Sequence, residues 1–172
     1  MAIIFKNFKL KLASLGPIIL LYFLSFSELD TQFSNVFEIL SFNLQLIIIY
    51  YWMLRDQTIL GNGHVFFAGI INDVVMGLPL GISPLTYLTV SFVALYVRNV
   101  TVNISLMTDW FTFLIALFFS NLLFLILINN FTDLPLSYSD IFYNSFFTMI
   151  FYPGFWLIFN LYKSIMFRGA NV

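Results

Sequence analysis

Apolar residues run along this chain in six stretches, each set off by a few polar or turn-forming residues. A membrane-crossing helix needs about 20 mostly apolar residues, within a range of about 17–25. On that measure the pattern predicts spans at about 12–26, 36–54, 59–76, 83–97, 104–128 and 141–162. The third span has an alternative start at His64, after Gly61-Asn62-Gly63, and the fourth at Pro84. The connecting segments are too short to hide a soluble domain, so residues 1–172 read as one all-α, polytopic membrane domain.

Spans three and four are the irregular pair. Ser83 suits a helix N-cap and Pro84 a first helical position. From Pro84 to Val97 the helix rises only about 21 Å, short of the ~30 Å hydrocarbon core. The pattern therefore predicts a short helical hairpin whose turn, 77–82, lies at or below the outer boundary. Backbone of that kind must be packed in protein or line a wet cavity.

Charge sets the orientation. Six spans with a cytoplasmic N-terminus put Lys6, Lys9, Lys11, Arg55, Arg98, Lys163 and Arg168, all 7 basic residues, on the cytoplasmic side. The far side receives Glu28, Asp30, Asp133 and Asp140. That asymmetry is the positive-inside pattern, and it places both termini in the cytoplasm. Tyr50-Tyr51-Trp52 beside Arg55, Tyr96 beside Arg98, and Trp110 are expected to form interfacial belts. The basic leader, apolar stretch and Ser25-Phe26-Ser27 have the outline of a signal peptide, but we read the first span as retained.

Composition agrees with the pattern and narrows the chemistry. The chain is 61% hydrophobic and 9% charged, whereas soluble domains are about 25% charged. A net charge of −1 offers no argument for nucleic acid. The absence of cysteine removes disulfides, thiolate metal sites and thiol nucleophiles. His64 is the single histidine, with no G-x-S-x-G or H-E-x-x-H around it, and reads as a capping or packing residue. The Asn-x-Ser/Thr triplets at Asn99, Asn103 and Asn130 fit chance in an Asn-rich chain. No enzyme, metal site or cofactor is expected.

Polar residues inside spans are the remaining lead, because an ionisable group there calls for a function or a partner. Span two carries Glu38, Ser41 and Gln45 on one face. Span three carries Asn72 and Asp73, span five Asp109 and Asn121, and span six Asn144, the Pro153-Gly154 kink site and Asn160. Glu38 and Asp109 lie near predicted helix ends and are expected to reach the headgroups. Asp73 lies near the C-terminal end of span three, where the helix dipole disfavours negative charge. Its compensating groups are expected to be backbone amides of the turn and of the span-four start, around Ser83 to Thr86. Asp73 then latches the hairpin, and Asp73→Asn is expected largely to preserve accumulation in the membrane while Asp73→Leu lowers it. Proton transport through Asp73 and Glu38 is a competing reading, set against the short chain and the lack of an internal repeat.

Gly69, Asp73, Gly77 and Gly81 recur every four residues, and Leu80 and Leu85 accompany them. With Trp52-x-x-Arg55 before it, the pattern Gly69-x-x-x-Asp73-x-x-x-Gly77-x-x-Leu80-Gly81-x-x-x-Leu85 resembles the rod-shape-determining MreD family of bacteria. Family members often have a proline soon after the arginine, where this chain has Asp56-Gln57. The resemblance implies a non-catalytic scaffold of the bacterial inner membrane that helps organise lateral peptidoglycan synthesis. Its implied partners are membrane lipids and an MreC-like protein and, through it, the actin-like MreB, RodA and a penicillin-binding transpeptidase. It also implies a fold similar to the substrate-binding subunits of energy-coupling-factor vitamin transporters. A vitamin-binding subunit of that kind is the alternative reading. Such subunits carry an Ala-x-x-x-Ala-like motif in the first span, which here holds Ala13 alone.

Overall fold

The computed structural model describes residues 15–27, 43–101, 105–132 and 138–167. Among the described residues there are six helices and no strand. They are α1 (Leu15–Phe26), α2 (Leu44–Arg55), α3 (Asn62–Met76), α4 (Ile82–Val100), α5 (Leu106–Phe131) and α6 (Tyr138–Phe167). Two are long and apolar enough to cross a membrane, Leu106–Phe131 and Tyr138–Ile165.

The centre of the bundle is α2. Every residue from Leu46 to Leu54 is buried, and a helix that is apolar all round belongs inside rather than at a surface. Around it pack α4, α5 and α6; α4 also packs on α3 and α5, and α6 on α5. Contacts of α1 run through Gly16 to Tyr162 of α6, and through Tyr22, whose hydroxyl lies 3.1 Å from His64 Nδ1.

Side-chain pairs fix the helix directions. Against α5, α2 is antiparallel, with Tyr50 on Phe113 and Arg55 on Asp109. Against α6 it is parallel, with Tyr50 on Tyr152 and Trp52 on Phe159 and Tyr162. From α2 to α6, successive helices alternate, so Arg55, Arg98 and Lys163 fall toward one end of the bundle. The outer surface is apolar. On α5, Met107, Phe111, Ile115, Phe118 and Leu122 are exposed at intervals of three or four, while Asp109 and Ser120 are buried. Large apolar groups outward and polar groups inward suit a chain whose surroundings are lipid.

Two expectations change against this framework. The fourth helix has 19 residues rather than a short run from Pro84 to Val97, and rises about 28 Å. It begins earlier because Gly81, not Ser83, is the N-cap. Pro84 still lies in the first turn, where no backbone N–H is needed. At the other end the helix continues through Arg98 to Val100.

Secondly, Tyr50, Tyr51 and Trp52 form no interfacial belt. They are buried because α2 lies at the bundle centre, where rings from α5 and α6 close over them. Phe113 stacks on Tyr152 at 4.3 Å, and Tyr51 packs on Phe159 at 5.3 Å.

Pro153, the expected kink site, sits within α6, and the carbonyl it leaves unpaired has a specific partner. Proline lacks the N–H that would bond the carbonyl four residues earlier, which is Met149. The Trp110 indole Nε1–H donates to Met149 O at 3.0 Å. Trp110→Phe keeps an aromatic ring but strands that carbonyl, at a cost of about 1–3 kcal/mol. Denaturant titration of the purified protein should show the loss. Trp110→Phe in a Pro153→Ala background should lose less, because α6 then supplies its own donor.

Candidate functional site

The α3–α4 hairpin carries most of the residues singled out above, and its geometry follows from three glycines and one carboxylate. Gly77 ends α3 in the left-handed region at φ 66°, and Gly81 caps α4 at φ 114°. Only glycine enters such conformations at little steric cost. The chain therefore reverses within a few residues around Pro79. The amide of Leu78 also turns back, donating to Asp73 O at 2.9 Å.

Gly69 sets how closely the two helices approach. A Cβ placed there would lie 2.5 Å from Pro84 N and 2.6 Å from Pro84 Cα. Those are backbone atoms, which cannot swing aside. Gly69→Ala should push the hairpin apart and destabilise the protein by about 1–3 kcal/mol or more. It should also lower accumulation in membranes, while Gly63→Ala, where a Cβ meets nothing within 4 Å, should not. Equal accumulation of the two variants would contradict the close approach.

The Asp73 side chain, fully buried, closes the hairpin. Its Oδ2 accepts from the Gly81 amide at 2.7 Å and its Oδ1 from the Ser83 amide at 2.9 Å. Both donors belong to the start of α4, whose first amides have no partner within the helix. The carboxylate thus caps the next helix from a distance, at an N-terminus whose dipole favours negative charge.

Beside it runs a relay of amides and hydroxyls. Asn72 Nδ2 donates to Ser83 Oγ at 3.0 Å, Gln45 Nε2 to Asn72 Oδ1 at 3.3 Å, and the Tyr87 hydroxyl to Gln45 Oε1. Near the open end of the hairpin, Ser91 Oγ donates to Asn62 Oδ1 at 2.7 Å. These bonds join α2, α3 and α4.

That arrangement revises the expectation for Asp73→Asn. Each Asp73 oxygen receives its own backbone N–H, so the site needs two acceptors. A carboxamide keeps one and turns an N–H2 toward the other donor. Asp73→Asn should therefore be destabilising, though less so than Asp73→Leu.

The remaining motif residues divide. Leu80 and Leu85 face outward, 70% and 47% exposed, and make no part of the latch. Trp52 and Arg55 are at the far end of α2. There Trp52 packs among Tyr51, Phe159 and Tyr162, and Arg55 enters a second polar cluster. Its Nη2 donates to Asp109 Oδ2 at 2.7 Å, and Trp156 Nε1 donates to the same oxygen at 2.8 Å. The guanidinium lies 5.9 Å from the centre of the Tyr51 ring and 5.6 Å from that of Trp156. Asp109 therefore does not reach the headgroups. Its side chain is fully enclosed because Arg55 and Trp156 draw it between α2 and α6. Asn121 Nδ2 donates to Ser145 Oγ at 2.7 Å and ties α5 to α6. Glu38 and Ser41 lie outside the described residues.

Sequence reading missed two pairings that had a signal. Arg55 and Asp109 are opposite charges at the same predicted membrane face. Pro153 marks Met149 O as a carbonyl in need of a donor, and tryptophan is an obvious one. The Gln45–Asn72–Tyr87 relay had no such signal, because nothing in periodicity says which polar residues meet.

Among the described residues no group of three metal-ligating side chains comes together. A shallow cavity of about 270 Å³ lies between α4 and α5, lined by Val93, Tyr96, Val97, Val100, Thr101, Thr112 and Ile115. None of those side chains is charged. Comparison with protein-family models, with characterised proteins and with solved structures gives no match.

Proposed function

We propose that this chain is a non-catalytic, six-span scaffold of the bacterial inner membrane, with both termini cytoplasmic. It helps maintain rod shape by organising lateral peptidoglycan synthesis. The observation that carries the reading is the double amide capture of Asp73, at 2.7 and 2.9 Å. The motif carboxylate has both oxygens bound by the chain's own backbone, which supports a hinge rather than a proton carrier or a ligand-binding acid. Alternating helix directions and basic residues gathered at one end support the six-span threading.

With its polar groups turned inward and apolar residues outward, such a protein acts through helix packing against partners in the bilayer. An MreC-like protein is the proposed direct partner, and MreB, RodA and a penicillin-binding transpeptidase are reached through it. Depleting the chain from its own rod-shaped cell should round the cell within a few generations. Cells that keep their length-to-width ratio after depletion would contradict the proposal.

A further inference from the structure

Four buried polar atoms of the described residues have no hydrogen-bond partner within the protein: the Tyr51 hydroxyl, Arg55 Nε, Asp109 Oδ1 and the Tyr152 hydroxyl. They are not scattered. Tyr51 and Arg55 are one turn apart on α2, Asp109 and Phe113 on α5, and Tyr152 and Trp156 on α6, so each pair shares a helix face. The three faces meet. Arg55 and Trp156 both bond Asp109 Oδ2, the guanidinium lies 5.9 Å from the Tyr51 ring, and Phe113 stacks on Tyr152. Tyr152 also packs on Tyr50, the chain neighbour of Tyr51, at 5.9 Å.

Orphaned polar atoms at such depth are uncommon, and these four form a complementary set. Arg55 Nε–H only donates, Asp109 Oδ1 accepts, and the two hydroxyls do either. Charge selects the ligand. Arg55 and Asp109 balance each other, so the cluster has no net attraction for an ion and favours a small neutral molecule with both donors and acceptors. Internal water, which makes about three hydrogen bonds to otherwise unsatisfied buried groups, fits that description.

We propose that the Tyr51–Arg55–Asp109–Tyr152 cluster is an internal water site. Water there accepts from Arg55 Nε–H and donates to Asp109 Oδ1, and the two tyrosine hydroxyls complete its bonds. The site joins α2, α5 and α6 through solvent at the end of α2 opposite the Asp73 latch. This inference does not depend on the scaffold reading.

Pulsed X-ray radiolysis of the full chain in lipid nanodiscs tests it, because radicals formed from bound water oxidise the side chains that touch it. Tyr87 is the internal reference, since it is also buried but its hydroxyl bonds Gln45. Tyr51 and Tyr152 should be oxidised several-fold faster than Tyr87. Oxidation of all three at the same slow rate would overturn the site. Tyr152→Phe removes one of the four partners and should slow Tyr51 oxidation several-fold. Unchanged fast oxidation of Tyr51 would mean that radicals arrive from bulk solvent, and would also overturn it. The wild-type comparison decides by itself if Tyr152→Phe fails to accumulate.

Discussion

Asp73→Leu should unfold at markedly lower denaturant than the wild type, with a loss of about 2–4 kcal/mol. The estimate comes from two amide donors, those of Gly81 and Ser83, left without acceptors at about 1–3 kcal/mol each. It is held to the lower part of that range because Gly81 is only half-buried and water can reach its amide. Leucine is also the larger side chain, so crowding in this fully buried site adds to the loss of the two hydrogen bonds, and Asp73→Asn, which is isosteric, isolates the hydrogen-bond part. Asp73→Asn should fall between leucine and wild type, since it keeps one acceptor. Unfolding in mixed micelles, followed by far-UV circular dichroism, measures all three. The order wild type, Asn, Leu is the expected result; an Asp73→Leu protein as stable as the wild type would remove the latch from the account.

Arg55→Ala should cost more, about 3–5 kcal/mol, the range for breaking one side of a buried ion pair. The Asp109 side chain is fully enclosed while that of Arg55 is 18% exposed, so removing the arginine leaves the Trp156 indole as the carboxylate's one remaining side-chain donor within the described residues. The companion variant Asp109→Leu strands the guanidinium instead, but that group is partly exposed and can find water. It should therefore be the milder of the two. The double variant Arg55→Leu/Asp109→Leu should be more stable than Arg55→Ala, because no unpaired charge remains and apolar residues often replace buried ion pairs without loss. With Arg55→Leu alone to complete the cycle, the same unfolding titration gives the coupling between the two sites. Strictly additive losses would show that the 2.7 Å contact contributes nothing.

The hairpin was more legible than the bundle around it, for a physical reason. Glycine spacing, proline and a carboxylate near a helix C-terminus act locally, and the dipole argument pointed to amides around Ser83 to Thr86 as Asp73's partners. The bonds come from Gly81 and Ser83, which a turn residue with φ 114° brings into reach. Arg55 and Asp109 are 54 residues apart, and hydrophobic periodicity carries no information about such pairs. The aromatic run Tyr50-Tyr51-Trp52 has the composition of an interfacial belt and of a core alike. What decides between them is the central place of α2, which depends on how α4, α5 and α6 close around it. Pro153 is the intermediate case, since its local rule identifies the freed carbonyl of Met149 but not its donor across the bundle.

The scaffold reading makes one demand that no property of the isolated chain meets, which is contact with defined partners in the bilayer. Photo-crosslinkers placed at the exposed positions Leu80, Leu85 and Phe92, which face outward on the hairpin, sample that contact in native membranes. Mass spectrometry of the crosslinked species should recover an MreC-like protein or a penicillin-binding transpeptidase, and Asp73→Leu should diminish the yield in proportion to the folded fraction. Recovery of the ATPase and transmembrane subunits of a vitamin transporter, with neither wall-synthesis protein, would contradict it.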